Sequence, residues 1–175
     1  MAPVAQPNRF LHVKLENWRN FSHADIALQE RVFLFGPNAA GKSNFLDVFR
    51  FLRDIVAVGG GFQDAVRRRG GVSKLQSLSA RRYPDISIDV KLADTDGSTI
   101  WSYQLQFYQD NNRRPLLRTE SVTRNGEVIM QRPDRADETD GERLSQTYLE
   151  QVNANQPFRE LADFFGSLFE SEARH

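Results

Sequence analysis

The sequence predicts an α/β fold in which a strand turns through a glycine-rich loop into a long helix, followed by an antiparallel β meander and a C-terminal amphipathic helix. Three observations predict it. The apolar run at residues 31–35 leads into GPNAAGKS at residues 36–43, and a stripe of helical period follows. Alternating apolar segments separated by turn signals fill residues 85–131. Phe158, Leu161, Phe164, Phe165, Leu168 and Phe169 recur at helical spacing after Pro157.

Each element has a local cause. Leu11, Val13 and Leu15 alternate with polar residues, as do Ala24, Ile26 and Leu28, so two strands are expected, joined through ENWRNFSH. Residues 31–35 are apolar enough for a third, buried strand. From Lys42 the period changes: Phe45, Leu46, Phe49, Leu52, Ile55 and Val56 lie on one helical face, and Gly59-Gly60-Gly61 stops the helix. A short helix at residues 62–68 closes at Gly70-Gly71, with its terminal arginines at the negative end of the helix dipole. Ile86, Ile88, Val90 and Leu92 alternate, DTDG turns, and Trp101, Tyr103, Leu105 and Phe107 alternate again. DNNRRP is a further turn. Residues 116–124 and 127–130 flank Asn125-Gly126, a strong hairpin signal. Residues 134–142 are charged and expected as a mobile loop. The final apolar stripe needs a cover, either the meander or further chain.

Composition narrows the class. The chain has 175 residues, 39% hydrophobic and 26% charged, which suits one globular domain. Absence of cysteine excludes disulfides and thiolate metal sites. No signal peptide or membrane segment is apparent, so a cytoplasmic protein without a membrane partner is expected. The 23 basic and 23 acidic residues cancel, leaving no bulk basic field. Arginines cluster at Arg67-Arg68-Arg69, Arg81-Arg82 and Arg113-Arg114, as solvated faces or local phosphate contacts.

The chemistry resides in GPNAAGKS, which fits G-x-x-x-x-G-K-[ST] between an expected strand and an expected helix. Gly36 and Gly41 let the backbone curl so that successive N–H groups converge on a phosphate. The helix N-terminus adds its positive end. Lys42 reaches the β- and γ-phosphates, and the Ser43 hydroxyl ligates Mg²⁺. The loop is thus expected to hold a nucleoside triphosphate by its phosphates, with Gly36, Pro37, Ala39, Ala40, Gly41, Lys42 and Ser43 as nucleotide-binding candidates.

The spelling GPNAAGKSNFLDVF resembles the GPNGSGKSN-type loop of SMC, RecF and OLD-like ATPases, the ABC-class branch that works on DNA. NWRNF at residues 17–21 is similar to the asparagine-aromatic-arginine segment these proteins carry between their first two strands. The resemblance runs through FLDVFRFLRDI and AVRRRGGVSKL, about residues 10–75. Ala39 and Ala40 replace the usual Gly and Ser, which removes one hydroxyl and leaves the backbone donors. The resemblance implies that Asn38 sits near the γ-phosphate, Asn44 seats the α-phosphate, and Arg19 approaches the nucleotide from the side. An ordinary turn arginine is the alternative for Arg19, and Trp18 reads as a core anchor rather than an adenine stack. DNA is implied as a partner, with repair or anti-phage defence as settings.

An ABC-type site also needs an apolar strand ending Asp-Glu, a serine-glycine signature and a switch histidine. Asp89 is followed by Val90, and Asp94 and Asp96 lack the preceding strand. Gly70-Gly71-Val72-Ser73 is too loose for the signature, and His12, His23 and His175 follow no suitable strand. Gln76, Gln104, Gln106 and Gln109 are candidates for a Mg²⁺-sensing glutamine. No catalytic residue is assigned. The expected organisation is a flexible N-terminus (1–9), a nucleotide-binding lobe (10–131, meander 85–131), a mobile linker (132–156) and a helix (157–175) leading toward a C-terminal lobe. Hydrolysis would then require that lobe or a second polypeptide, and a homodimer. The alternatives are a small P-loop kinase or GTPase, although no Asn-Lys-x-Asp segment occurs, and a non-catalytic module ordered by nucleotide.

Overall fold

A computed structural model of the chain describes residues 6–29, 39–78 and 84–170. Its centre is a six-stranded antiparallel sheet in the order β2-β1-β3-β4-β5-β6, built from β1 (Arg9–Trp18), β2 (Phe21–Ala27), β3 (Ile86–Ala93), β4 (Ile100–Gln109), β5 (Pro115–Arg124) and β6 (Glu127–Arg132). The expected strand at residues 31–35 and the loop at residues 36–38 lie outside the described residues.

Alternation decides which sheet face is covered. Ile86, Ile88, Val90 and Leu92 of β3 are buried, as are Trp101, Tyr103, Leu105 and Phe107 of β4. Against this face packs α1 (Ala39–Val56), through Phe45, Val48, Phe49, Phe51, Leu52 and Ile55. The ring of Phe51 stacks 5.7 Å from that of Phe107. Two short helices follow, α2 (Phe62–Arg67) and α3 (Val72–Leu75). The second was not expected, because four residues are too few to show a helical period. At the β5–β6 hairpin, Asn125 and Gly126 both adopt positive φ (51° and 80°), the conformation a two-residue turn of this type requires.

The last helix is shorter than the sequence suggests. A 3₁₀ turn (Gln156–Phe158) precedes α5 (Arg159–Ser167). Leu161, Ala162 and Phe165 are buried, and Phe164, Leu168 and Phe169 are partly so. Phe165 meets Tyr103 at 5.8 Å, and Phe10 lies 5.4 Å from Phe164. Arg50 and Arg53 of α1 cover the Phe169 ring at 4.9 and 5.3 Å. Within the described residues the apolar stripe is therefore covered by α1 and the sheet.

The segment 132–156, expected as a linker with a mobile charged loop, carries regular structure. Asp134 and Asp137 form a reciprocal capping box for α4 (Arg135–Thr139), and a 3₁₀ turn (Gly141–Ser145) follows. Arg132 binds it to the sheet from a position with no exposed surface, donating to Asp137 and Glu120 and to the carbonyls of Arg143 and Gln146. Glu120 also accepts from Tyr103 Oη and from the backbone N–H groups of Tyr148 and Leu149. Burial pushes the Glu120 carboxyl up, and these donors and Arg132 oppose that shift.

Candidate nucleotide site

Near the beginning of α1 stand Lys42, Ser43 and Asn44, ahead of the first core residue, Phe45. The first turn of α1 carries no acidic residue, so no side chain of that turn offsets the positive end of the 18-residue helix. Lys42 is half-buried and Ser43 is exposed. Among the described residues neither side chain has a hydrogen-bond or ion-pair partner. An uncommitted ammonium and an uncommitted hydroxyl on a helix start fit a phosphate and its counter-cation. No group of three or more His, Asp or Glu side chains among the described residues is arranged to hold a metal ion. A magnesium ion that takes one protein hydroxyl and phosphate oxygens needs no such group.

The β1–β2 turn packs against this end of α1. Trp18 is fully buried; its Nε1 donates to the Asn44 carbonyl at 2.8 Å, and its ring lies 5.3 Å from Phe51. It is the core anchor the sequence suggested. Asn44 Nδ2 donates to Asn20 Oδ1 at 2.9 Å, so the side chain expected near the α-phosphate is engaged with the turn. Flanking Trp18, Asn17 and Arg19 adopt φ of 57° and 51°, a region costly for residues with a Cβ. The segment before residue 79 holds them there: Arg19 N donates to Leu75 O, and Ser77 N donates to Asn17 O.

Arg19 reaches α1 through a carboxylate that sequence reasoning missed. Its Nε and Nη2 donate to Asp47 Oδ2 at 3.2 and 2.8 Å. Asp47 also receives Arg69, at 2.9 Å on each oxygen. Burial would raise the Asp47 carboxyl, but the hydrogen bonds and charges of Arg69 and Arg19 outweigh it and hold it below the usual carboxylate range. A signal did exist: Asp47 and Asp54 are seven residues apart, hence on one helix face. Their partner, the last arginine of the 67–69 cluster, comes from a separate element. Arg67 and Arg68 instead stay exposed and pair with Asp64.

The structure brings the turn holding Arg19 and Asn20 against Asp47 and Asn44 of α1, next in sequence to Lys42 and Ser43, and leaves other candidates elsewhere. Gly36, Pro37 and Asn38 fall outside the described residues, and Ala39, Ala40 and Gly41 begin α1. Asp89 lies between the inward Ile88 and Val90, so it faces the side of the sheet opposite α1, and burial raises its carboxyl. There it lines a cavity of about 510 Å³ with Lys14, Glu16, Ser87 and Gln104. Asp94 fastens the β3–β4 turn by accepting from Ser98 Oγ and Thr99 N, and Asp96 accepts from Ser98 N. His12 pairs with Asp25 and His23 with Glu16. Of the four glutamines, Gln76 pairs with Trp18 beside the turn and donates to Pro84 O at 2.6 Å.

Residues 31–168 match the family model described as "AAA domain, putative AbiEii toxin, Type IV TA system". Endonuclease GajA of Bacillus cereus (strain VD045) is 41% identical over 46 residues, which make up 26% of this chain and 8% of GajA. A solved structure of the recombination mediator protein RecF-ATPrS in the RecFOR pathway is similar over 71% of this chain and 29% of that one, at 19% identity and a TM-score of 0.45. The chain thus spans a small part of each. No helix among the described residues is long and apolar enough to cross a membrane.

Proposed function

The chain belongs to this AAA-domain family of P-loop ATPases, and from that premise we propose that residues 36–44 hold Mg²⁺-ATP at the start of α1. The observation that carries the reading is the pair Lys42 and Ser43 at the start of α1, neither with a side-chain partner among the described residues, where the first turn carries no acidic residue. Lys42 places a positive charge against the β- and γ-phosphates, and Ser43 offers its oxygen to Mg²⁺. Backbone N–H groups of the loop and of the first turn of α1 complete the phosphate contacts. Arg19 brings a second cation from the β1–β2 turn. The nucleotide supplies a γ-phosphoryl group whose transfer to water depends on positioning and charge stabilisation.

Turnover needs more than this. No strand in the sequence ends in Asp-Glu after an apolar run, and among the described residues no carboxylate pairs with Lys42. We therefore propose that hydrolysis is completed by a further lobe or a second polypeptide, in a homodimer. The work served is DNA metabolism, repair or anti-phage defence. The resemblance at residues 17–21 and 36–49 supports this, as does the local identity to a protein named as an endonuclease.

Titration with a fluorescent ATP analogue and Mg²⁺ tests the binding step, with phosphate release followed in parallel. Saturable binding is expected, with little turnover by this chain alone. Lys42→Ala is expected to abolish binding, and unaltered affinity in that variant would sink the reading. Rapid turnover by the isolated chain would refute the need for a second component.

A further inference from the structure

Two arginines from different elements share one carboxylate on α1, and they are not equivalent. Arg69 is fully committed. Its Nε and Nη2 bind Asp47, Nη2 also lies 3.0 Å from Asp54 Oδ2, and Nη1 donates to Ala65 O at 2.9 Å. Its side chain is 8% exposed and lies 5.2 Å from the Phe51 ring. Arg19 commits Nε and Nη2 to Asp47, but its Nη1 has no partner among the described residues and the side chain is 27% exposed.

Charge within the cluster does not cancel. Arg53 also pairs with Asp54, so three guanidinium groups (Arg19, Arg53, Arg69) face two carboxylates (Asp47, Asp54). One positive charge is left over, and Arg19 is the member nearest the start of α1 with open donors. Asp47 stands one helical turn beyond Ser43, and Asn20, next to Arg19, holds Asn44. Arg19 is also fixed from its backbone by the bond of its N–H to Leu75 O. A flexible arginine held this way loses less freedom when an anion arrives.

We propose that Asp47 and Arg69 are positioning residues of the nucleotide site: Arg69 anchors Asp47, and Asp47 holds the Arg19 guanidinium beside the first two turns of α1 for the nucleotide phosphates. This rests on the nucleotide reading of α1 and adds the residues that hold Arg19 in place. The pairing does not neutralise the cluster, because three guanidinium groups share two carboxylates.

The test is a double-mutant cycle on the whole chain, read as the affinity for a fluorescent ATP analogue with Mg²⁺. Arg19→Ala is expected to weaken binding about tenfold, the worth of one charge-assisted hydrogen bond. Asp47→Asn is expected to weaken it by a similar factor. Because Asp47 acts through Arg19, the double variant should be no weaker than Arg19→Ala alone. A merely structural Asp47 would lower the affinity again in the double variant, and that result overturns the proposal. Asp47→Asn at wild-type affinity overturns it too. If Asp47→Asn melts below the assay temperature, Arg69→Lys carries the same expectation, since an ammonium cannot span both Asp47 oxygens. Wild-type binding that is lost in Lys42→Ala but shows no Arg19–Asp47 coupling leaves the nucleotide reading standing and removes this one. Absence of nucleotide binding by the wild type removes both.

Discussion

Replacing Arg132 by methionine tests whether residues 132–156 are fastened to the sheet or merely lie near it. Arg132, Glu120 and Asp137 have no exposed side-chain surface. The guanidinium makes five hydrogen bonds, at 2.7 to 3.2 Å, to two carboxylates and two carbonyls. Methionine keeps much of the apolar stem but removes the charge and the guanidinium carbon that lies 3.7 Å from the Tyr148 ring centroid. Both carboxylates then remain buried with one charge partner fewer. Glu120 keeps Tyr103 Oη and two backbone donors, and Asp137 keeps the Asp134 N–H and Arg143. Removing one member of such a buried network costs about 3–5 kcal/mol. For a chain of this length that corresponds to a fall in melting temperature of roughly 6–20 °C. Thermal unfolding followed by circular dichroism gives the size of the loss, and limited proteolysis shows whether cleavage moves to residues 134–150. A fall of less than about 2 °C, with an unchanged cleavage pattern, would refute the claim that this network anchors the segment.

Three smaller perturbations follow from single contacts. Gly61 has φ 118° and ψ 172°, and an added Cβ would sit 3.2 Å from Glu150 Oε1, so Gly61→Ala should lose about 1–3 kcal/mol in a urea titration. Asp47 is held below its ordinary value of 3.8 in the fold, so its contribution is complete above that pH and is lost as pH falls through the lower folded value. Asp47→Asn should therefore flatten the dependence of melting temperature on pH below about pH 4, and an unchanged acid slope would contradict the assignment. Trp18→Phe keeps an aromatic ring against Phe51 but deletes the donor to the Asn44 carbonyl; a loss of about 0.5–1.5 kcal/mol by chemical denaturation is expected.

The meander was legible because its strands are half-buried. Ile86, Ile88, Val90 and Leu92 must all reach one core, and a period of two records that demand directly in the chain. Helix α1 was legible for the matching reason at a period near 3.6, and Asn125-Gly126 because few other pairs accept two positive φ angles. Residues 134–142 misled because charge normally marks solvent. Here Asp134 and Asp137 cap one another, and Arg132 takes Asp137 into the interior. Glu120 faces inward opposite Leu105, beyond a register shift between β4 and β5 at Gln106 and Phe107.

By itself the sequence determined the strand and helix periods and the hairpin, because each follows from residues within a few positions of one another. Only the tertiary structure decided that Asp47 is shared by Arg19 and Arg69, that Arg132 locks residues 134–150 to the sheet, and that the final apolar stripe rests on α1. Those ion pairs join residues on separate elements, from five positions apart for Arg132 and Asp137 to 28 for Arg19 and Asp47, and such a pairing leaves no period in the chain; it exists only when the sheet and helices bring the charges within hydrogen-bonding reach.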